Sequence, residues 1–258
     1  MYLSVSISTL SFRLSSKSTL FDACAGVGPF AVPAARAGAR VVANDLNPDS
    51  FKWLKLNCER VQKKTGRSVE CLNMDARDFI RGKVREELTL LWKSSLKKSE
   101  VNAKVPDIHI TMNLPALAIT FLDVFRGLFK ESQELKEVSG SALPKVHVYG
   151  FSKAENKQVD IQERCEKYLG LKLDSGHLEE VAFVRNVAPN KDMLRASFFV
   201  PKTVMFDMDI VAPGDIVEEE EEEEEETTNH SKRDLSPEKE VDSRKKVARG
   251  PVWYGERL

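Results

Sequence analysis

Three aspartates, Asp22, Asp45 and Asp75, stand near the ends of three successive segments with strand-like sequence. Asp45 follows Gly26 and Gly28 by about 20 residues, where a carboxylate in a parallel α/β fold can accept both hydroxyls of a ribose. A carboxylate after the third strand could accept the exocyclic amine of an adenine. Each aspartate could instead cap a helix. Because carboxyl ends of parallel strands share one edge, a nucleoside ligand explains all three together better than three separate caps.

The glycine turn, residues 25–29, lacks the spacing of the common phosphate-binding motifs. Its pattern is GxG, not GxGxxG, and no lysine follows, so a dinucleotide site or a P-loop is poorly supported. A glycine lets a ligand approach the backbone where a Cβ would block it, although such a turn after a strand is often only a turn. The tripeptide Asn113-Leu114-Pro115 follows the fourth predicted strand. Its amide can accept from an amine and donate to a carbonyl, or the tripeptide can be a simple turn.

A third group of residues surrounds a predicted hairpin turn near residue 189. Arg185, Lys191 and Arg195 are three cations close in sequence to that turn. They could hold RNA phosphates, and a solvated hairpin explains their charge equally well.

Strands that alternate with helices are needed to position these residues. The predicted strands are 19–24, 40–45, 68–72, 107–112, 145–151, 181–187 and 193–200, and the predicted helices are 29–37, 48–62, 75–81, 116–129 and 154–169. This order predicts an α/β fold, with a seven-stranded, mostly parallel sheet, helices on both faces and a terminal antiparallel hairpin. Residues 83–104 are polar and lysine-rich, which favours an insertion or a mobile loop.

Charge divides the chain into a body and a tail. Residues 1–214 contain 25 acidic and 31 basic residues, a net charge of +6, which suits a polyanionic partner such as nucleic acid. From Asp215 onward 15 acidic and 8 basic residues give a net charge of −7, and Glu218 to Glu226 is an unbroken glutamate run. We therefore predict an irregular lead-in at 1–18, one catalytic domain at 19–213 and a disordered tail at 214–258.

Composition argues against several classes of protein. No apolar run approaches the roughly 18 residues of a membrane span. The four cysteines form no CxxC pair and the four histidines do not cluster in sequence, so reduced thiols and no metal site are expected. The first 20 residues carry basic and serine residues but no acid, a weak transit-peptide pattern that a short irregular lead-in explains as well.

Together the motifs resemble the S-adenosylmethionine-dependent methyltransferases with a Rossmann-like sheet. More narrowly, they resemble the archaeal and eukaryotic tRNA (guanine(37)-N1)-methyltransferase family. The matching segments are residues 22–33, 44–48, 74–79, 113–115 and 184–198. The resemblance implies an enzyme that transfers a methyl group from S-adenosylmethionine to N1 of guanine 37, beside the anticodon of tRNA.

The resemblance also implies which residues form the site. The implied S-adenosylmethionine-binding residues are Gly26, Gly28, Asp45, Leu46, Asp75, Ala76 and Asn113. Asn113 is also our predicted catalytic residue, holding the base edge or the cofactor. The expected partner is tRNA, with no membrane and no metal, and we expect a monomer in the cytoplasm, with the mitochondrial matrix and the nucleus as further compartments.

The chain departs from the family in two places. Cys24 stands where the family normally has an aromatic residue. Family members also carry substantial sequence before the glycine motif, including a tRNA-gripping domain and a glutamate proposed as general base, and residues 1–18 match none of it. The chain thus resembles a truncated or alternatively started member, and weak or no methyl transfer is expected from it alone.

Two other functions remain open at this stage. The related tRNA-wybutosine aminocarboxypropyl transferases share the sheet and transfer another group of the same cofactor. The tripeptide 113–115 and the turn at 187–190 favour the methyltransferase. The second alternative is a catalytically impaired fragment that binds the cofactor or tRNA.

Overall fold

Seven strands form a single sheet in the residues that the computed structural model describes, which are 14–97, 107–139 and 142–209. They are β1 Ser18–Asp22, β2 Arg40–Asn44, β3 Val69–Leu72, β4 Asp107–Met112, β5 Lys145–Ser152, β6 Leu178–Ala188 and β7 Lys191–Phe199. Their spatial order is β3-β2-β1-β4-β5-β7-β6. Strands β1 to β5 pair in parallel, and β7 lies antiparallel between β5 and β6. The predicted mostly parallel sheet with a terminal antiparallel hairpin is confirmed.

Helices connect the strands, and capping residues mark where the second of them begins and ends. They are α1 Ala31–Ala37, α2 Pro48–Thr65, α3 Ala76–Phe79, α4 Arg85–Lys97, α5 Glu134–Val138, α6 Lys157–Leu169 and α7 Lys202–Phe206. Asn47 caps α2 by accepting a 2.9 Å hydrogen bond from the backbone N–H of Asp49, and Gly66 ends it with φ +71°. None of the described helices is both long enough and apolar enough to cross a membrane.

The sheet carries a hydrophobic cluster on each face because successive strand residues point to opposite sides. In β1, Leu20 packs into one cluster and Phe21 into the other. The Leu20 cluster includes residues of α1 and α2, and the Phe21 cluster includes residues of α4, α6 and α7. The helices therefore cover both faces, as predicted.

The prediction of an insertion or mobile loop at residues 83–104 is wrong for its described part. A π-helical turn, Ile80–Val84, leads directly into α4. Val84, Leu88 and Trp92 are fully buried at a spacing of four residues, and the Trp92 indole N–H donates to the Ala142 carbonyl oxygen at 2.9 Å. The surrounding lysines hide this helical period in the sequence. Residues 98–106 lie outside the described part.

The apolar segment 116–129, predicted as an α-helix, is more irregular. It forms a 3₁₀ helix, Ala118–Phe125, which ends because Arg126 is extended and Gly127 has φ +64°. The helices α5 and α7 have no counterpart in the sequence prediction. Residues 1–13 and 210–258 are outside the described part, so the domain boundaries remain predictions.

Candidate functional site

The carboxyl ends of the central parallel strands bring the predicted polar residues to one edge of the sheet. Asp22 is the last residue of β1, Asp45 directly follows β2, and Asn113 directly follows β4. Asp75 follows β3 by three residues. β1 lies between β2 and β4, so the chain leaves the sheet centre in opposite directions at this point. Such a switch point opens a crevice where α/β proteins bind ligands.

Asp45 holds the glycine turn in place. Its Oδ2 accepts a 2.7 Å hydrogen bond from the Gly26 N–H, and its Oδ1 accepts one of 2.9 Å from the Asn47 N–H. Each carboxylate oxygen keeps lone-pair capacity for another donor. Gly26 has φ +55°, and a Cβ built on it would meet no atom within 4 Å. The partly exposed carboxylate thus borders open space, as a site for a sugar requires.

Asp75 and Asn113 present further polar atoms at the same edge. Asp75 caps α3, because its Oδ1 accepts hydrogen bonds from the N–H groups of Arg77 and Asp78, at 2.7 and 3.4 Å. Within the described residues, its Oδ2 and the Asn113 amide make no hydrogen bond, and both side chains are half-buried. Asp75 therefore combines the capping role with an oxygen available to a ligand.

Leu46 and Ala76, the two predicted neighbours of these aspartates, differ in exposure. The Leu46 residue is 64% exposed, and Ala76 is buried. Leu46 can cover a flat apolar ligand at the edge, whereas Ala76 can offer only its backbone.

Gly28 has a packing role rather than a place in the open crevice. Its φ is +97°, and an added Cβ would lie 3.1 Å from side-chain carbons of both Leu54 and Val32. Gly28 therefore lets the turn pack against α1 and α2. The structure separates the two predicted glycines, with Gly26 facing open space and Gly28 facing the protein.

Asn44 is a positioning residue that the sequence analysis missed. It is fully buried, and its Nδ2 donates to the carbonyl oxygens of Ala23 at 3.1 Å and Met74 at 2.9 Å. Its Oδ1 accepts from the Met74 N–H at 3.1 Å. One side chain thus joins the end of β2 to the loops that follow β1 and β3. A polar side chain at an inward position of a buried strand is the only sequence signal for this role.

Asp22 lies beneath the site rather than in it. Burial and, to a smaller extent, the charge of Asp45 raise the pKa of this carboxyl to about 7, although the nearby Thr111 hydroxyl opposes the rise. Neither Asp22 oxygen has a hydrogen bond of ordinary geometry, and the side chain is fully buried. The expectation that three aspartates reach one nucleoside is therefore wrong for Asp22.

The electrostatics of Cys24 show that the three carboxylates converge. Burial, together with the charges of Asp22, Asp45 and Asp75, raises the pKa of the Cys24 thiol to about 12. Cys24 is consequently a neutral thiol at physiological pH.

Arg195 does not belong to a phosphate-binding trio at the hairpin. It is buried, forms an ion pair with Glu180, and its Nε donates to the Ser197 hydroxyl at 3.1 Å. The Lys191 ammonium lies 4.9 Å from the centroid of the Phe151 ring, and Arg185 is exposed. Of the two interpretations left open for these cations, phosphate binding therefore does not apply to Arg195, whose charge is already neutralised by Glu180.

Two histidines that are distant in sequence meet inside the sheet. His109 Nδ1 and His147 Nε2 are 2.9 Å apart, and their rings are stacked. In the described residues, no group of three or more His, Cys, Asp or Glu side chains is arranged to hold a metal ion.

Comparison with known proteins identifies proteins that are similar to this chain. Residues 8–95 match the model of the TRM5/TYW2 methyltransferase domain. Over 188 residues the chain is 48% identical to a tRNA (guanine(37)-N(1))-methyltransferase of Danio rerio, a match that covers 73% of this chain and 36% of the relative. The chain spans about a third of the length of that curated relative. The resemblance inferred from the motifs is confirmed.

Two solved structures share the fold. One is WT Trm5b from Pyrococcus abyssi, with 22% identity and a TM-score of 0.50, covering 77% of this chain and 48% of that one. The other is P. horikoshii TYW2 in complex with MeSAdo, with 14% identity and a TM-score of 0.50, covering 76% and 62%. These likenesses agree with the predicted Rossmann-like sheet.

Proposed function

We propose that this chain is a member of the TRM5/TYW2 methyltransferase family and provides the S-adenosylmethionine site of a tRNA (guanine(37)-N1)-methyltransferase. One observation carries the proposal. The Asp45 carboxylate is fixed by two backbone N–H groups beside a glycine turn that opens onto empty space. The 48% identity to a relative named for this reaction supports the choice of substrate.

The residues at this edge fit the methyl donor. Asp45 would accept the two ribose hydroxyls, Asp75 Oδ2 would accept the adenine amine, and Gly26 would let the donor approach the backbone. Leu46 would cover the adenine ring. When bound, S-adenosylmethionine supplies an electrophilic methyl group carried on a sulfonium.

The chain's own contribution to the reaction is mainly positioning. The target N1 of neutral guanine carries a proton, which a base must remove as the N1–methyl bond forms. The target guanine must also leave its stack to reach the crevice. Asn113 can hold the guanine edge, because its amide both donates and accepts and is not engaged within the described residues. We assign the role of general base to none of these carboxylates, because Asp45 and Asp75 would bind the methyl donor and Asp22 is buried.

A single-turnover assay with the chain in excess over a tRNA transcript tests the proposal. We expect a methyl group on N1 of guanine 37, identified by nuclease digestion and mass spectrometry, and none on a transcript with adenine at position 37. Excess enzyme makes a slow transfer measurable. Weak transfer agrees with the expectation for this chain alone, whereas methylation at another nucleotide would contradict the proposed reaction.

The same assay decides between methyl and aminocarboxypropyl transfer. The matching family model covers both TRM5 and TYW2 proteins, and the P. horikoshii TYW2 structure has this fold. The curated relative is named for methyl transfer, which favours that reaction. A product with the mass of an aminocarboxypropyl adduct would overturn it.

We further propose that the chain acts as a monomer in the cytoplasm, with the mitochondrial matrix and nucleus as additional compartments. The family resemblance is the support for this proposal. Light scattering of the purified chain and imaging of a tagged chain in cells test the two parts separately.

A further inference from the structure

A cleft of about 550 Å³ lies between α1 and α2, behind the glycine turn. Its lining residues are Val27, Gly28, Pro29, Val32, Pro33, Arg36, Asn57, Arg60 and Lys64. Asp45, Asp75 and Asn113 do not line it. The α1–α2 cleft is therefore a separate feature that shares only the turn with the donor site.

Three cations and no acid line the α1–α2 cleft. Arg36 is in the last turn of α1, and Arg60 and Lys64 stand one turn apart on α2. All three are exposed, and none forms an ion pair within the described residues. Other exposed cations are unpaired as well, but these three line one concave surface that has no acid among its lining residues. An uncompensated charge of three in a concave surface attracts an anion.

An exposed tryptophan extends this charged surface toward the donor site. Trp53 is 52% exposed and lies one turn before Asn57, whose Nδ2 donates to the Val27 carbonyl oxygen at 2.9 Å. Residues 53, 57, 60 and 64 form one stripe along α2, since positions three and four apart share a helix face. Because α2 begins three residues after Asp45, Trp53 is at the end of the stripe nearer the donor site.

We propose that the α1–α2 cleft, with Trp53, is a binding surface for the tRNA. Arg36, Arg60 and Lys64 hold backbone phosphates, and Trp53 stacks on an unpaired base. Aromatic stacking beside a cationic groove is how proteins hold single-stranded nucleic acid. The stripe from residue 53 to residue 64 is about 16 Å long, which favours a run of nucleotides over one small anion. This inference rests on the proposed function and adds a contact surface to it.

The test measures tRNA affinity against salt concentration for a cleft variant, Arg36→Ala/Arg60→Ala/Lys64→Ala. We expect at least about 10-fold weaker binding, and a slope of log affinity against log salt that is lower by about two to three, since each lost phosphate contact removes close to one unit. Trp53→Ala should weaken binding by about five-fold or more, with its salt slope unchanged, because stacking carries no charge.

A charge-matched control variant is Lys17→Ala/Lys93→Ala/Lys167→Ala. These lysines are exposed, lie outside the cleft and form no ion pair within the described residues. We expect its affinity to stay within about two-fold of the parent chain. A second control, Arg36→Lys/Arg60→Lys/Lys64→Arg, keeps the charge and should keep the affinity and the slope.

Each result supports or overturns the inference. The inference is overturned if the cleft variant and the control variant lose equal tRNA affinity, or if the parent chain binds no tRNA. It is also overturned if the cleft binds an acidic protein while the cleft variant keeps the tRNA affinity of the parent. Urea unfolding and donor binding by calorimetry, both expected to match the parent, show that the cleft variant is folded. A parent chain that binds no donor would instead overturn the proposed function.

Discussion

At the scale of single residues, burial decides which of the three aspartates can meet a ligand. All three stand near the carboxyl ends of strands, so the sequence pattern does not distinguish them. Asp45 and Asp75 lie at the partly exposed edge, whereas Asp22 ends the central strand and is fully buried. A carboxyl without water around it resists ionisation, which is why its pKa is raised to about 7.

Asp22 should make the stability of the protein depend on pH. Its pKa rises from 3.8 in the unfolded chain to about 7 in the folded protein, so the folded state binds the proton more tightly. The stabilisation is fully present below pH 3.8 and is lost as the pH rises to about 7. Since each pKa unit is worth about 1.4 kcal/mol, the loss is of the order of 4 kcal/mol.

Urea unfolding of Asp22→Asn across this pH range measures that contribution. The amide does not titrate, so we expect the free energy of unfolding of the variant not to decrease over this pH range. The difference in stability between variant and parent should therefore shift in favour of the variant as the pH rises. Asp49→Asn, which removes an exposed carboxylate in the first turn of α2, should keep the slope of the parent. A parent-like slope in Asp22→Asn would show that the Asp22 carboxyl is not responsible.

The sequence predicts where single site residues lie along the sheet edge, but it does not predict their hydrogen-bond and ion-pair partners. The aspartates, Gly26 and Asn113 were placed at the correct edge because strand ends are readable from apolar runs. The partners of Asn44 and Arg195 come from other strands or loops, up to 30 residues away for Asn44. No local pattern records such a contact, so the loop-joining role of Asn44 and the neutralisation of Arg195 required the structure.

At the scale of elements, the glycine turn depends on close packing against α1 and α2. Gly28 combines a positive φ with a position where an added Cβ would lie 3.1 Å from side chains of both helices. The two requirements act together, since a side chain there would strain the backbone and also displace Val32 and Leu54. The turn is therefore fixed by what lies behind it as well as by Asp45 in front.

Two glycine-to-alanine changes should have opposite effects on stability. Gly28→Ala should lower the free energy of unfolding by about 2–3 kcal/mol, through its positive φ and the 3.1 Å contacts. Gly82→Ala, within the π-helical turn, meets no atom within 4 Å and should raise it by up to about 1 kcal/mol. Chemical denaturation measures both. A Gly28→Ala protein as stable as the parent would contradict the packing account.

Helices and strands were predictable from the sequence where the spacing of apolar residues and the capping residues indicate the same boundaries. For α2, Asn47, Pro48 and the apolar spacing all indicate the same helix start. For α4, the period of Val84, Leu88 and Trp92 was hidden by lysines, and tertiary burial determines the helix.

At the scale of the whole molecule, the sheet order places two binding surfaces on either side of one turn. The donor site is at the carboxyl edge, and the α1–α2 cleft is behind the turn between two helices. The net charge of +6 in residues 1–214 indicates an anionic partner but no location for it. The proposed location follows from the cleft that brings Arg36, Arg60 and Lys64 together without an acid, and the folding of the chain creates that cleft.

Calorimetric titration of the chain with S-adenosylmethionine is the most direct test of this account. We expect one donor site per chain, and at least about 10-fold weaker binding by Asp45→Asn, because hydrogen bonds to a charged acceptor are worth about 1.5–3 kcal/mol. The control Asp49→Asn should bind like the parent. Parent-like affinity in Asp45→Asn, or no binding by the parent at saturating donor, would contradict the assignment of the site.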